Sequence, residues 1–164
     1  MALASNRHHG HRQEERQNQQ PQQQKEQCKA ILVVDDEYDI VRVIEKSSQI
    51  IGFDTAGFTD PLLALEHFKA NYNEYFLVIS DLAMPSSSMN GFEFTKKIRS
   101  ILPGIKVFLM TASNITDSAL FSDFISSLKI DCIIQKPISL QALKDIIEKQ
   151  SLLHASSNVS NNTI

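Results

Sequence analysis

Five short apolar runs, each followed by a stretch with helical spacing, constrain what this chain can fold into more than any other feature. The runs are Ala30–Val34, Phe53–Phe58, Phe76–Ser80, Ile105–Met110 and Asp131–Gln135. Strands covered on both faces read as near-continuous hydrophobic stretches, whereas half-exposed strands alternate. Between the runs the period changes. Val41, Ile44, Ser48 and Ile51 recur at helical spacing. Asp60 reads as an N-cap with Pro61 at the first helical position, and Leu62, Leu65, Glu66 and Phe68 carry that helix to about Ala70. Gly91 to Leu102 is amphipathic, with Phe92, Phe94 and Ile98 set against Lys96, Lys97 and Arg99, and Pro103-Gly104 stops it. Thr116–Leu128 puts Leu120, Phe124 and Leu128 on one stripe. Ser139–Leu153 points Leu140, Leu143, Ile146 and Ile147 inward. Strictly alternating strands and helices predict an α/β fold, a doubly wound five-stranded parallel sheet with five helices on its two faces.

Composition sets the limits of that unit. Residues 1–29 hold eight glutamines and hardly any large apolar side chains. A segment of that kind cannot bury enough surface to offset its ordering entropy, so it reads as a disordered tail. Residues 30–152 read as the domain, and residues 153–164, Ser/Asn-rich, as a flexible C-terminal tail. The first 29 residues carry five Lys/Arg against three Glu, a net of +2; the whole chain is −3, which leaves −5 on the rest. That balance gives no support to nucleic-acid binding by the domain. Two distant cysteines, Cys28 and Cys132, make neither a disulfide framework nor a zinc site. No apolar run reaches the length of a membrane span, and Met1 to Gly10 lacks the apolar core of a secretory signal. A cytoplasmic, soluble protein is the expectation. The sequons at Asn158 and Asn161 then read as chance matches.

A doubly wound sheet places ligands beyond the carboxyl ends of its strands. Asp35, Asp36 and Glu37 follow the first run, Asp81 the third, Thr111 the fourth and Lys136 the fifth. Three carboxylates at close quarters repel each other and need a cation. Hard oxygen donors suit Mg²⁺, which takes one or two carboxylates together with a phosphate. Lys136 adds a positive charge and Thr111 a hydroxyl for an anionic oxygen. A carboxylate in that setting can also be a phosphoryl acceptor. Asp81 suits that role best: it ends its run alone, and the following Leu82-Ala83-Met84-Pro85 loop can aim a carbonyl at a metal. Asp35 and Asp36 fit as paired metal ligands. Each residue alone has an ordinary reading, such as helix N-caps for Asp35 and Asp36; the four strand ends together do not.

These residues make the chain resemble a response-regulator receiver domain of two-component signalling. The matching stretches are Ile31-Leu32-Val33-Val34-Asp35-Asp36-Glu37, Val78-Ile79-Ser80-Asp81-Leu82-Ala83-Met84-Pro85, Met89-Asn90-Gly91, Leu109-Met110-Thr111-Ala112 and Gln135-Lys136-Pro137-Ile138. The resemblance covers about residues 29–150 and implies flavodoxin-like topology. It implies that Asp81 accepts phosphate from a histidine kinase or phosphotransfer protein. It further implies that Asp35, Asp36 and Asp81 bind Mg²⁺ with the Ala83 carbonyl, and that Thr111 and Lys136 contact the phosphoryl oxygens. Three departures stand out. The Ser86–Ser88 loop is longer than usual by about two residues, and the Thr111-to-Lys136 segment by about three, as loops allow. Ile133 occupies the place of the family's usual switch aromatic.

Too few residues follow position 150 for a DNA-binding module, so the resemblance points to a stand-alone receiver. Its downstream protein partner would meet the Asn114–Leu153 face, built from Asn114–Leu128, Asp131–Gln135 and Ser139–Leu153. Two other readings compete. One is a degenerate receiver that binds a partner without phosphorylation. The other is a Mg²⁺-dependent phosphatase, which would need a general acid near its nucleophile; position 83 is Ala and position 37 is Glu, so neither supplies the expected second Asp. A signalling domain, not an enzyme, is the expectation. His8, His9 and His11 read as part of a polar tail, and His67 and His154 as surface residues. Lys96, Lys97 and Arg99 read as a solvated helix face, and Met84 and Met89 as packing locally.

Overall fold

The computed structural model describes residues 30–112 and 119–160. The expected Gln-rich tail, Cys28, His8, His9, His11, Ser113, Asn114 and residues 161–164 lie outside that range. The element order is β1 (Ala30–Val34), α1 (Tyr38–Ile50), β2 (Asp54–Phe58), α2 (Pro61–Asn71), β3 (Tyr75–Asp81), α3 (Gly91–Ile101), β4 (Lys106–Thr111), α4 (Ala119–Leu128), β5 (Cys132–Gln135) and α5 (Leu140–Ser160), with a 3-10 turn at Tyr72–Glu74 before β3. The strands form one sheet in the order β2-β1-β3-β4-β5. Every pairing is parallel. This is the doubly wound sheet that the alternation predicts.

Successive residues of a strand face opposite sides of a sheet, and the core divides accordingly. Leu32, Val34, Val78 and Val107 pack on one face with Ala64, Leu65 and Phe68 of α2 and Phe94 and Ile98 of α3. Ile31, Val33, Leu77, Ile79, Phe108 and Met110 pack on the other with Ile44 of α1 and Leu143 and Ile147 of α5. Asp60 caps α2 as its sequence suggests, accepting the Leu62 N–H at 2.8 Å with Pro61 behind it.

Several expectations need correcting. Phe124 is 49% exposed. It lies almost flat on Phe92, ring centroids 4.9 Å apart, so its contact is with α3 and not the sheet. Leu140 is 53% exposed, because it sits in the first turn of α5, ahead of the turns that Leu143 and Ile147 seat on the sheet. The last helix does not stop at Leu153 but runs to Ser160, so the segment read as a flexible tail is largely helical. His67 is half-buried, its Nε2 2.6 Å from the Tyr75 hydroxyl.

The correction with the widest consequences is Arg99. Its side chain is only 16% exposed. Nε donates to the Leu128 carbonyl at 3.2 Å and Nη1 to the Pro103 carbonyl at 2.8 Å. Nη1 also donates to Ile105 O, and Nη2 to Lys129 O. Nη2 pairs with Asp131 Oδ2 at 3.0 Å, while Lys106 Nζ reaches Asp131 Oδ1 at 2.9 Å. Two of those acceptors end α4. Lys129 adopts a left-handed φ of 51°. Ile130 N–H then bonds back to Ile125 O at 3.1 Å and Lys129 N–H to Ser126 O at 3.3 Å, a Schellman ending without its usual glycine. A guanidinium fork is suited to collecting several oxygens, and the negative end of a helix favours a cation. Arg99→Ala should cost about 2–3 kcal/mol in urea denaturation, the range for hydrogen bonds to charged groups. Arg99→Lys should recover less than half, because an ammonium has no fork; full recovery would show that charge alone matters.

Candidate functional site

The two central strands, β1 and β3, point their carboxyl ends at the same place, where the strand order switches direction. Asp35 follows β1 and is fully buried, and Asp81 closes β3 and is nearly so. Asp36 is half-buried beside them. One carboxylate oxygen from each of the three lies within 4.8 Å of the others. Lys136, just past β5 and 13% exposed, reaches into the cluster: Nζ is 2.7 Å from Asp35 Oδ2 and 3.0 Å from Asp81 Oδ1. Glu37 Oε1 lies 3.6 Å from the same nitrogen on the solvent side.

Backbone contacts hold the strand tips in register. Lys136 N–H donates to the Thr111 carbonyl at 2.8 Å, and Leu82 N–H to the Met110 carbonyl at 2.8 Å. Thr111 is buried at the end of β4, one residue beyond the partner of Asp81. The peptide between Lys136 and Pro137 is cis. Asp35 is not a side-chain cap in the ordinary sense: α1 has Glu37 at its N-cap with no side-chain cap bond, and Asp35 Oδ1 accepts the Glu37 N–H at 3.0 Å.

The loop after β3 is closed by Gly91 N–H bonding to Leu82 O at 2.9 Å. A Cβ on Gly91 would stand 2.3 Å from the Asp81 carbonyl oxygen and 2.8 Å from Leu82 Cα, so only glycine fits there without moving the residue that ends β3. Asn90 and Glu93 then start α3 with a reciprocal capping box. Met84 and Met89 do more than pack locally: both are buried in the cluster beneath α2 and α3. Ala83, on the same loop, is exposed.

Asp35, Asp36, Asp81 and Lys136 are thus brought together by side-chain geometry; Thr111 stands at the end of β4, its carbonyl accepting the Lys136 N–H, and Ala83 lies in the loop after β3. The sequence did not point to the amide of Ser86, which donates to Asp36 Oδ2 at 3.3 Å. A backbone donor leaves no mark in side-chain identity. Glu37, which the sequence places with the acid pair at the end of the first run, lies at the edge of the cluster within reach of Lys136.

Electrostatics follow from two buried carboxylates sharing one ammonium. Burial raises the pKa of Asp35 and of Asp81 above the ordinary 3.8, and the hydrogen bonds from Lys136 offset it only in part. Burial works to lower the pKa of Lys136, but its bonds to Asp35 and Asp81 together outweigh that and raise it. Both carboxyls therefore hold protons more tightly in the folded state than in the unfolded one. Their contribution to stability grows as pH falls from neutral toward 3.8, and is lost as pH rises through their folded pKa values. The Lys136 contribution is complete below 10.5 and fades as pH rises past its raised pKa. In metal chelator, Asp81→Asn should unfold at higher urea than the unmodified protein near neutral pH. The gap should close toward about pH 4, where carboxyls protonate. A gap independent of pH would mean that Asp81 is not held above its ordinary value.

The donor set, three carboxylate oxygens with no nitrogen or sulfur among them, could hold a hard divalent cation. Among the described residues no helix is long and apolar enough to cross a membrane.

Known proteins share this fold. A crystal structure of a CheY-like response regulator receiver domain protein from Methanospirillum hungatei superposes with a TM-score of 0.68 at 24% identity, covering 79% of this chain and 98% of that one. The chemotaxis protein CheY4 of Vibrio cholerae superposes with a TM-score of 0.64 at 23% identity, covering 73% and 96%. In sequence, the response regulator receiver protein CpdR of Brucella abortus is 26% identical over 121 residues, which cover 74% of this chain and 95% of CpdR. The probable transcriptional regulator ycf27 of Porphyridium aerugineum is 31% identical over 144 residues, 84% of this chain. The chain spans 56% of ycf27 and 9% of the sensor protein EvgS of Escherichia coli, so it corresponds to one part of each. The response regulator receiver domain family itself matches residues 31–148, from the first strand into the first half of the last helix and across every strand tip that carries the acids and the lysine; the chain belongs to that family.

Proposed function

We propose that this receiver domain is a phosphoacceptor, with Asp81 taking a phosphoryl group from the phosphohistidine of a histidine kinase or phosphotransfer protein. One observation carries the reading: Asp81 Oδ1 lies 3.0 Å from Lys136 Nζ inside a cluster of three carboxylates. A carboxylate oxygen attacks phosphorus, the P–N bond breaks, and the imidazole nitrogen leaves with the electron pair and takes up a proton. The product is an acyl phosphate on Asp81.

Asp35, Asp36 and Asp81 would hold Mg²⁺, with the Ala83 carbonyl as a further oxygen donor. When bound, Mg²⁺ neutralises charge on the transferring phosphoryl group. Lys136 exchanges its contact with the Asp81 carboxylate for the new phosphoryl oxygens, and the Thr111 hydroxyl donates to another. Thr111 and Lys136 are joined through their backbones, so movement of one reaches β5 and the start of α5. That shifts the population of the α4–β5–α5 face and its affinity for a downstream protein partner. The described part of that face runs from Ala119; Asn114 to Ser118 lie outside it. Ile133 packs half-buried against the cluster of Leu82 and Leu109, and supplies no ring that could swing toward Thr111. The switch in this chain works without one. Cytoplasmic location follows from a kinase partner that acts inside the cell.

The test is intact mass after incubation with Mg²⁺ and a small phosphoramidate or acyl-phosphate donor. A single alkali-labile phosphoryl addition supports the reading. No addition from a small donor or from a phosphorylated histidine protein would leave a phosphorylation-independent interaction module.

A further inference from the structure

We propose that the backbone amide of Ser86 is a positioning element for the metal site, bracing Asp36 from the loop that follows β3. The inference rests on the reading of Asp36 as a metal ligand. Asp36 is the odd member of the carboxylate cluster. Asp35 is locked by Lys136 and by the Glu37 amide, and Asp81 by Lys136 and by its place in the sheet. Asp36 is half-buried, and the bond from Ser86 is the hydrogen bond that orients it. An unbraced Asp side chain spreads over several rotamers, and ordering it would count against metal binding.

The loop is built to hold that amide still. Its two ends are plugged into the core by Met84 and Met89. Its neck is closed by Gly91 N–H to Leu82 O at 2.9 Å, and Ser87 N–H turns back to Met84 O at 3.0 Å. Ser86 and Ser88 are exposed between those anchors. The donor is the main chain, so the serine side chain is dispensable and the peptide N–H is not. Losing a partner that orients a ligand from the next layer out typically costs about ten- to a hundredfold in metal affinity.

The experiment titrates Mg²⁺ into the full, unphosphorylated chain by calorimetry. It compares the unmodified protein with Ser86→Ala, which keeps the amide, and Ser86→Pro, which removes it. Melting in chelator reports whether each variant is folded. Ser86→Ala should bind as the unmodified protein does, and Ser86→Pro about tenfold more weakly, the low end for outer-layer partners. Equal affinity in a folded Ser86→Pro protein overturns the brace and leaves the proposed function standing. No Mg²⁺ uptake by the unmodified protein overturns both. A second measurement needs no loop variant: in chelator, Asp36→Ala should move the Ser86 amide proton upfield in the NMR spectrum. An unmoved resonance overturns the proposal, whatever Ser86→Pro does.

Discussion

Asp81→Asn should abolish phosphoryl uptake while the domain stays folded. A carboxamide is almost the shape of a carboxylate, so the buried end of β3 keeps its packing and Lys136 keeps its bond to Asp35. It carries no anionic oxygen, however, and cannot form the acyl phosphate. Removing a covalent nucleophile typically costs far more than a factor of a thousand, so labelling should fall below detection. Intact mass of the two proteins, treated side by side with the same donor, decides it. Normal labelling of the variant would move the acceptor to another residue, and Asp35 or Asp36 would have to be tried in turn.

Lys136→Ala should have the largest effect on stability of any single change at the site. Lys136 is the cation between two carboxylates that are buried and nearly so. Taking one partner from a buried ion pair leaves uncompensated charge and costs about 3–5 kcal/mol. The metal-free variant should therefore unfold at much lower urea near neutral pH. Mg²⁺ should recover more stability in the variant than in the unmodified protein, since a cation that binds only the folded state meets a site in greater need of one. Phosphoryl uptake should persist at a reduced level, and the response of the α4–β5–α5 face should be lost. A variant as stable as the unmodified protein without metal would show that Asp35 and Asp81 are not both ionised in the native state.

Most of the architecture was legible because burial on both faces writes itself into strand composition. Ile31 to Val34 and Leu77 to Ile79 could hardly be anything else, and the acids after them were conspicuous because each breaks an otherwise apolar stretch. Asp35, Asp36, Asp81 and Lys136 could be assembled from sequence since each is the residue at which a run stops. The errors have a common origin. Helical spacing says which residues share a stripe but not where the stripe meets a neighbour. Leu140 belongs to the right stripe one turn too early, and Phe124 to a stripe that meets Phe92 instead of the sheet. Arg99 was misread because a long side chain on a charged face can turn back and satisfy carbonyls, and carbonyl positions are not encoded in residue type. The Ser86 amide escaped for the same reason.

The clamp made by Arg99 divides the molecule mechanically. It ties α3, the entrance to β4, the end of α4 and the entrance to β5 at the end of the sheet away from the carboxylates. Local opening there would break a charged pair and several hydrogen bonds at once, so it should require nearly global unfolding. Hydrogen exchange should be slowest for the amide of Val107, which donates to the Asp131 carboxylate, and for that of Asp131, which donates to the Val107 carbonyl, both beside the clamp. Amides of the loops around the carboxylates should exchange faster, through openings that leave the base intact. The chain would then keep a stiff foundation under a working surface whose loops can lengthen without disturbing what supports them.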